Sequence, residues 1–204
     1  MKEKSFDRRE ALLEAAMDEF AAKSYEEASL NSIIKNAGIS KGTFYYHFKD
    51  KQDLYLNILR LLVDMKMEFM ESKLKDYVHK EELNIFENLK LQTRFAAELA
   101  KANQRYYLLG MMFRREKGAA IYETAMSMFD DTSEAYMDNL MDRAWERGDF
   151  REGVSIQFAR KMMLFLLYRS DELFNLRERD VDFEAMIREF DELIDFIQFG
   201  LGKR

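Results

Sequence analysis

The stretch that decides the fold lies between residues 29 and 48 and reads Ser-Leu-Asn-Ser-Ile-Ile-Lys-Asn-Ala-Gly-Ile-Ser-Lys-Gly-Thr-Phe-Tyr-Tyr-His-Phe. Its first part predicts a helix over 30–36, because Ser29 is suited to cap it and apolar residues recur every three or four positions. Gly38 follows where the chain must turn, since glycine adopts a left-handed backbone at little cost. Ser40 then caps a second short helix over 41–47. Two short helices joined by a glycine-containing turn are typical of a helix-turn-helix.

The second of these helices has one face for the core and one for a partner. Phe44 and Phe48 are four residues apart and are expected to point inward. Gly42 and Thr43 are small, so the backbone could approach the floor of a DNA groove. The side chains expected to reach phosphates or base edges are Tyr45, Tyr46, His47, Lys49 and Lys51. The alternative is a helical hairpin with a solvated aromatic surface, but caps, glycine turn, small residues and lysines together favour DNA.

The rest of the chain has the pattern of an all-α protein. It contains no proline, and apolar residues recur at helical spacing with no sustained alternation. Asp50 and Asp53 are expected to cap a fourth helix, and Gly110, inside a helical pattern, is expected to permit close packing. We predict nine helices, at 5–23, 30–36, 41–47, 51–75, 80–101, 104–116, 119–147, 154–178 and 183–200. We expect two domains: a three-helix DNA-binding domain over 1–53, with helix 51–75 as the connection, and a helical bundle over 54–204 for ligand binding and dimerisation.

The composition excludes several classes of protein. With 48% apolar and 34% charged residues, the chain is expected to be a folded, soluble protein. The longest apolar run, 162–168, is too short to cross a membrane, and the N-terminus has no secretory signal, so we expect a cytoplasmic protein without a membrane partner. No cysteine is present, which excludes disulfides, thiolate nucleophiles and zinc fingers. Of two histidines, His79 follows Asp76 by three residues and is interpreted as a surface residue. We predict no catalytic residue, no metal and no cofactor.

The charge indicates that any contact with DNA is local. The net charge is −6, whereas phosphate affinity comes from clustered basic residues. Residues 35–51 nevertheless contain Lys35, Lys41, Lys49 and Lys51 against Asp50 alone. The positive charge therefore coincides with the helix-turn-helix.

The motif Gly-Ile-Ser-Lys-Gly-Thr-Phe-Tyr-Tyr-His-Phe at 38–48, with Phe20, the 29–37 helix and Lys-Asp-Lys-Gln-Asp-Leu at 49–54, resembles the TetR family of bacterial transcriptional regulators. The resemblance covers about the first quarter of the chain. It implies that helix 41–47 enters the major groove, with Lys41, Gly42 and Thr43 nearest the bases. It also implies phosphate contacts from Tyr45, His47 and Lys51, and backbone contacts from Ser29 and Asn31. Two departures, Ser24 for a frequent glycine and Ala28 for a common threonine, affect the loop before the motif.

The last two predicted helices offer a dimerisation surface. Residues 162–168 are apolar around the whole helix, which must therefore be covered on more than one side. A four-helix interface with a second copy is also what the resemblance implies; the alternative is a thick monomer core. The predicted interface residues are Phe165, Tyr168, Phe190, Ile194 and Ile197.

The remaining helices are rich in methionine and aromatic residues, which suits an apolar effector pocket. For each residue alone, ordinary core packing is the alternative, and for Arg169 a pairing with Glu172 is favoured over a role toward an acidic ligand. The predicted pocket residues are Met67, Met70, Tyr107, Met111, Met126, Phe129, Phe165 and Arg169.

These features together predict a regulator that binds double-stranded DNA. We expect a homodimer that represses from a palindromic operator and is released by an apolar or amphipathic small molecule. The alternative is a helical interaction module whose helix-turn-helix contacts protein rather than DNA. An enzyme is the remotest interpretation, because the chain has no phosphate-binding or metal motif.

Overall fold

The protein is described by a computed structural model that covers residues 2–77, 83–170 and 182–203. Within these ranges the chain is helical, and the only extended pairing is an isolated antiparallel bridge between Phe150 and Gly202. The helices are α1 (Lys2–Ala22), α2 (Leu30–Asn36), α3 (Lys41–His47), α4 (Lys51–Asp76), α5 (Ile85–Ala102), α6 (Gln104–Arg115), α7 (Ala120–Arg147), α8 (Ile156–Tyr168) and α9 (Phe183–Leu201). The all-α prediction is confirmed.

Two predicted helices have the wrong bounds. The helix predicted over 80–101 begins at Ile85, because Asn84 and Glu87 form a capping box: Asn84 Oδ1 accepts the Glu87 amide at 3.0 Å, and Glu87 Oε2 accepts the Asn84 amide at 2.9 Å. His79 lies outside the described residues. The helix predicted over 154–178 ends at Tyr168; Arg169 forms a turn and Ser170 is helical again. The described ranges contain the nine helices named above and, in addition, Ser170, a helical residue that belongs to none of them, so the expected number of nine is one too few. The residues directly after Ser170 lie outside the described ranges.

The chain forms two compact units, neither of which is continuous in sequence. Unit 1 consists of Met1–Met67 and Ala102–Met128, and unit 2 of Glu68–Lys101 and Phe129–Arg204. The helix-turn-helix therefore shares a unit with α6 and the start of α7. The functional boundary at residue 53 stays a prediction.

In unit 1, α1 packs against both α2 and α6. Its interior contains an aromatic group in which the ring centroids of Phe20 and Tyr55 lie 4.9 Å apart and those of Tyr25 and Tyr55 lie 5.0 Å apart. At the surface, the Arg105 guanidinium of α6 lies 3.0 Å from Asp18 and 3.9 Å from Glu14, both on α1. Helix α6 is thus attached to the DNA-binding segment through α1.

The expectation for Gly110 of α6 is not met. A Cβ at Gly110 would meet no atom within 4 Å, so no close packing requires glycine there.

Unit 2 has a separate apolar core built by α5, α7, α8 and α9. The largest of its fully buried side chains are Ile85, Phe86, Met141, Met163 and Ile194. Three ion pairs join α5 to α9 along the edge of this core: Lys90–Asp195 at 2.5 Å, Arg94–Asp191 at 2.8 Å and Lys101–Glu184 at 2.5 Å. Because these pairs are partly exposed, each contributes about 1 kcal/mol or less, and the apolar core carries most of the stability. No helix in the described ranges is long and apolar enough to span a membrane.

Candidate DNA-binding site

Helix α2 and the turn after it are built as the sequence predicts. Ser29 Oγ accepts the Ser32 amide at 3.3 Å and caps α2. Gly38 has φ +64°, and the Ile39 amide reaches back to the Ile34 carbonyl at 3.3 Å. This left-handed turn ends α2 and directs the chain into α3, since a residue with a Cβ would be strained at this φ.

Helix α3 presents two large aromatic rings to solvent. Ser40 Oγ accepts the Thr43 amide at 3.1 Å and caps the helix, while Phe44 and Phe48 are buried as expected. On the outer face, Tyr45 is 59% exposed and Tyr46 is 80% exposed. The protein itself gives these rings little cover, which leaves them available to a partner.

The N-terminal end of α3 is open. Lys41 and Gly42 are exposed, and a Cβ built on Gly42 would meet only Ser40 Oγ, at 3.7 Å. This is an ordinary van der Waals distance, so the protein's own packing does not demand glycine at position 42. Thr43 is half-buried, and its hydroxyl lies 3.0 Å from Ser40 Oγ.

The end of α3 joins α4 through a tight capped turn. The half-buried His47 ring stands edge-on to Tyr46 with centroids 5.0 Å apart, and Lys49 is exposed. Asp50 Oδ1 accepts the Asp53 amide at 2.8 Å, which confirms the predicted cap of α4. Asp53 in turn accepts the Lys49 amide at 2.9 Å, one residue earlier than the usual capping box.

The Lys51 side chain is directed toward the protein itself and not toward a DNA phosphate. Its ammonium donates to three backbone carbonyls of the α1–α2 loop, those of Tyr25 at 2.7 Å, Ala28 at 3.1 Å and Glu26 at 3.4 Å. It also lies 4.4 Å from the centroid of the Tyr25 ring. Because an ammonium has only three N–H donors, none is left for DNA in this conformation. Lys51 instead fixes the loop to the start of α4.

Two carboxylates that the sequence did not single out hold the same loop, residues 23–29. Glu19 Oε1 accepts the Ser29 amide at 3.0 Å, and the hydrogen bond from Lys23 followed by that from Ser29 lowers the pKa of Glu19. Glu116, which is 6% exposed, accepts the Tyr25 amide at 2.6 Å. Burial, followed by the nearby Glu116 charge, raises the pKa of Tyr55. Glu116 lies 91 residues from Tyr25 in sequence, so no local pattern could have indicated the contact.

The two departures from the family pattern also lie in this loop. Ser24 Oγ donates to Glu27 Oε2 at 2.8 Å, and Ala28 is buried with its amide 2.9 Å from the Ser24 carbonyl. Serine and alanine therefore form a closed turn of their own before α2. Asn31, near the start of α2, is exposed.

The predicted pocket residues are distributed over both units. Unit 1 contains Met67, Tyr107, Met111 and Met126, and unit 2 contains Met70, Phe129, Phe165 and Arg169. Met70 and Met111 are buried, whereas Met67, Phe165 and Arg169 are exposed and the others are half-buried. Glu172, the alternative partner of Arg169, lies outside the described residues. The pocket stays a prediction.

The predicted dimer residues have unequal positions in the protomer. Phe165 is exposed and Phe190 half-buried, while the side chain of Tyr168 lies outside the described part. Ile194 and Ile197 are buried in the core of unit 2, so they support α9 from inside rather than facing a second copy. The large apolar side chains that α9 exposes are Phe196, 69% exposed, and Phe199, 77% exposed, which the predicted set omitted.

Comparisons with known proteins agree with this geometry. The sequence model of the family "Bacterial regulatory proteins, tetR family" matches residues 12–58. The fatty acid metabolism regulator protein of Bacillus subtilis is 20% identical over 186 residues, 90% of this chain and 91% of that protein. The transcriptional regulator AcrR of Shigella flexneri is 37% identical over 60 residues, 29% of this chain and 28% of that protein.

Solved structures show the same fold over nearly the whole chain. FadR from Bacillus subtilis, in complex with stearoyl-CoA, superimposes with a TM-score of 0.69 at 18% identity, covering 91% of this chain and 97% of that one. A TetR family regulator from Chloroflexus aurantiacus gives a TM-score of 0.65 at 22% identity, covering 99% and 98%.

A capped helix-turn-helix with an open outer face, in an all-α chain of this fold, defines a sequence-specific DNA-binding transcriptional regulator. Residues 12–58 match the TetR family of bacterial transcriptional regulators, which confirms the resemblance predicted from the sequence. These relatives are regulators and not enzymes. Within the described ranges, no group of three or more acidic, histidine or cysteine side chains could hold a metal ion.

Proposed function

We propose that the protein is a dimeric repressor that occupies a palindromic operator in the cytoplasm and leaves it when an amphipathic small molecule binds. The outer face of α3 carries this proposal, because it combines the exposed Tyr45 and Tyr46 with an unobstructed Gly42 on a frame fixed by caps at both helices. The function is binding, without a catalytic step.

In this proposal the small N-terminal end of α3 reads bases, with Lys41, Gly42 and Thr43 nearest the groove floor. Tyr45, Tyr46, His47 and Lys49 contact the sugar-phosphate backbone, which fixes position but carries no sequence information directly. Ser29 and Asn31 contribute at the start of α2. Lys51 acts through the loop that it holds and not on phosphate.

A second copy completes the site, since one short helix offers too few contacts for specificity. Unit 2 exposes large rings on α8 and α9, where Phe158 and Phe165 are seven residues apart on one face of α8. Phe196 and Phe199 form a similar exposed pair on α9. Exposed apolar surface of this extent typically marks an interface, and we assign it to the homodimer.

For the effector we propose a long-chain acyl thioester or a similar acidic amphiphile. One relative, which matches 90% of this chain, is a fatty acid metabolism regulator, and FadR from Bacillus subtilis was solved in complex with stearoyl-CoA. The chain offers cations for an acidic head group: burial, followed by the Arg114 charge, lowers the pKa of Lys66, although part of the Lys66 side chain reaches solvent. An anion near both groups would relieve this repulsion.

The test is footprinting of the wild-type dimer on its own promoter region at moderate salt. We expect protection of a two-fold site, affinity that falls steeply with salt, and release by stearoyl-CoA but not by coenzyme A alone. Tyr46→Ala should weaken binding, whereas Tyr136→Ala, at an exposed tyrosine of unit 2, should not. Equal affinity for promoter and random DNA would refute operator binding and favour the protein-interaction alternative. Protection that stearoyl-CoA leaves unchanged would refute only the effector class.

A further inference from the structure

The loop of residues 23–29, which leads from α1 into the cap of α2, is held by side chains from three helices. Glu19 of α1 holds its end at the Ser29 amide, and Lys51 of α4 holds its carbonyls. The third contact comes from Glu116, at the C-cap of α6, whose carboxylate accepts the Tyr25 amide at 2.6 Å. Only this contact comes from outside the first four helices.

We infer that Glu116 is a positioning residue for DNA recognition, through which the end of α6 sets the orientation of the helix-turn-helix. The inference rests on the proposed function, because it explains how a helix remote from DNA controls the operator affinity of α3. Glu116 itself touches neither DNA nor effector.

The position of the contact is what gives it this role. The Tyr25 amide donates to the Glu116 carboxylate, and the Tyr25 carbonyl accepts from the Lys51 ammonium at 2.7 Å, so one residue joins α6 to the start of α4. The loop ends at Ser29, the N-cap of α2, and Lys51 is the first residue of α4, which follows α3 in the chain. A displacement of Glu116 therefore acts on both ends of the helix-turn-helix.

Its chemistry also favours a positioning role over simple packing. A buried carboxylate is costly unless it is hydrogen-bonded, and an apolar residue of similar volume usually serves stability as well or better. The short bond to an amide is directional, which apolar packing is not. The other end of α6 is attached to α1 through Arg105 and Asp18, so α6 is fixed to the DNA-binding segment at both ends.

The experiment compares Glu116→Leu with Glu116→Gln, which keeps an acceptor oxygen for the Tyr25 amide. Glu123→Leu, at an exposed glutamate of α7, is the matched control. Operator and random-sequence DNA affinities are measured for each full-length protein. Because the chain has no cysteine, Asn36→Cys, at an exposed position at the end of α2, provides a single spin-label site for measuring the distance between the two copies.

We expect Glu116→Leu to lower operator affinity about tenfold while affinity for random DNA stays within about twofold, and to shift or broaden the spin-label distance. Glu116→Gln and Glu123→Leu should remain near wild type in both measurements. If Glu116→Leu does not fold, Glu116→Asp, which is too short to reach Tyr25, should give the same selective loss. A folded Glu116→Leu or Glu116→Asp protein with wild-type operator affinity and distances would overturn the inference. Failure of the wild type to prefer operator would instead overturn the proposed function.

Discussion

Replacing Gly42 by alanine adds one methyl group, which should change the stability of the protein and its operator affinity in opposite directions. An added Cβ meets only Ser40 Oγ, at 3.7 Å, and the residue lies in the first turn of α3. Alanine has a higher helix propensity and less freedom in the unfolded chain, so the free energy of unfolding should rise by up to about 1 kcal/mol. The protein alone therefore gains from the substitution.

Operator binding should change in the opposite direction. If the α3 backbone lies against the groove floor at Gly42, the methyl group overpacks a close interface, which costs about 1–3 kcal/mol. That corresponds to roughly 5- to 150-fold weaker binding at 25 °C. Urea unfolding and fluorescence anisotropy with labelled operator measure the two quantities on the same preparation.

Gly110→Ala is the matched control, because its added Cβ meets nothing within 4 Å and the residue lies in α6 rather than in α3. It should give a similar gain in stability without loss of affinity. A Gly42→Ala protein that binds operator as tightly as wild type would refute the close approach of α3 to the groove. A destabilised Gly42→Ala protein would refute the packing argument.

Four further substitutions test other parts of the structure. Gly38→Ala should destabilise the protein by about 1–2 kcal/mol in urea unfolding, because φ is +64° there; unchanged stability would contradict the left-handed turn. Lys51→Met should lower stability by about 1–3 kcal/mol yet leave the slope of log affinity against log salt concentration unchanged. A smaller slope would show instead that Lys51 contacts a phosphate. Phe199→Ser should shift the dimer toward monomer in analytical ultracentrifugation, and an intact dimer would remove Phe199 from the interface. The pKa of Lys66 is lowered in the folded state, so the unfolded state binds more protons and the free energy of unfolding of the wild type should rise as alkaline pH neutralises Lys66. Lys66→Met should lose this pH-dependent gain in stability, and a variant with the same alkaline stability profile as wild type would contradict the lowered pKa.

The sequence was most informative where the interactions are local. The bounds of α2 and α3 coincide with the predicted 30–36 and 41–47, because caps at Ser29 and Ser40 and the turn at Gly38 are decided within a few residues. The inward direction of Phe44 and Phe48 follows from their spacing in the same way.

Contacts between residues far apart in the chain could not be predicted from the sequence. The role of Lys51 depends on carbonyls more than 20 residues away, and that of Glu116 on an amide 91 residues away. Ile194 and Phe196 are both apolar residues of α9, yet one is buried and the other exposed. Their spacing of two residues places them on different faces of the helix, but an apolar side chain by itself does not tell whether its face packs on the core of the same protomer. The assignment of α6 to unit 1 is likewise a property of tertiary packing.

The discontinuity of unit 1 has a consequence for protein engineering. A hybrid regulator made by exchanging residues 1–53 alone would join Glu116 to a loop of foreign sequence and would remove Glu14 and Asp18 from Arg105, so the contacts of α6 with the DNA-binding segment would no longer be matched. A transplant with both 1–67 and 102–128 keeps these partners together. New operator specificity is therefore best introduced as two segments of the gene, although the motif that reads DNA occupies only one.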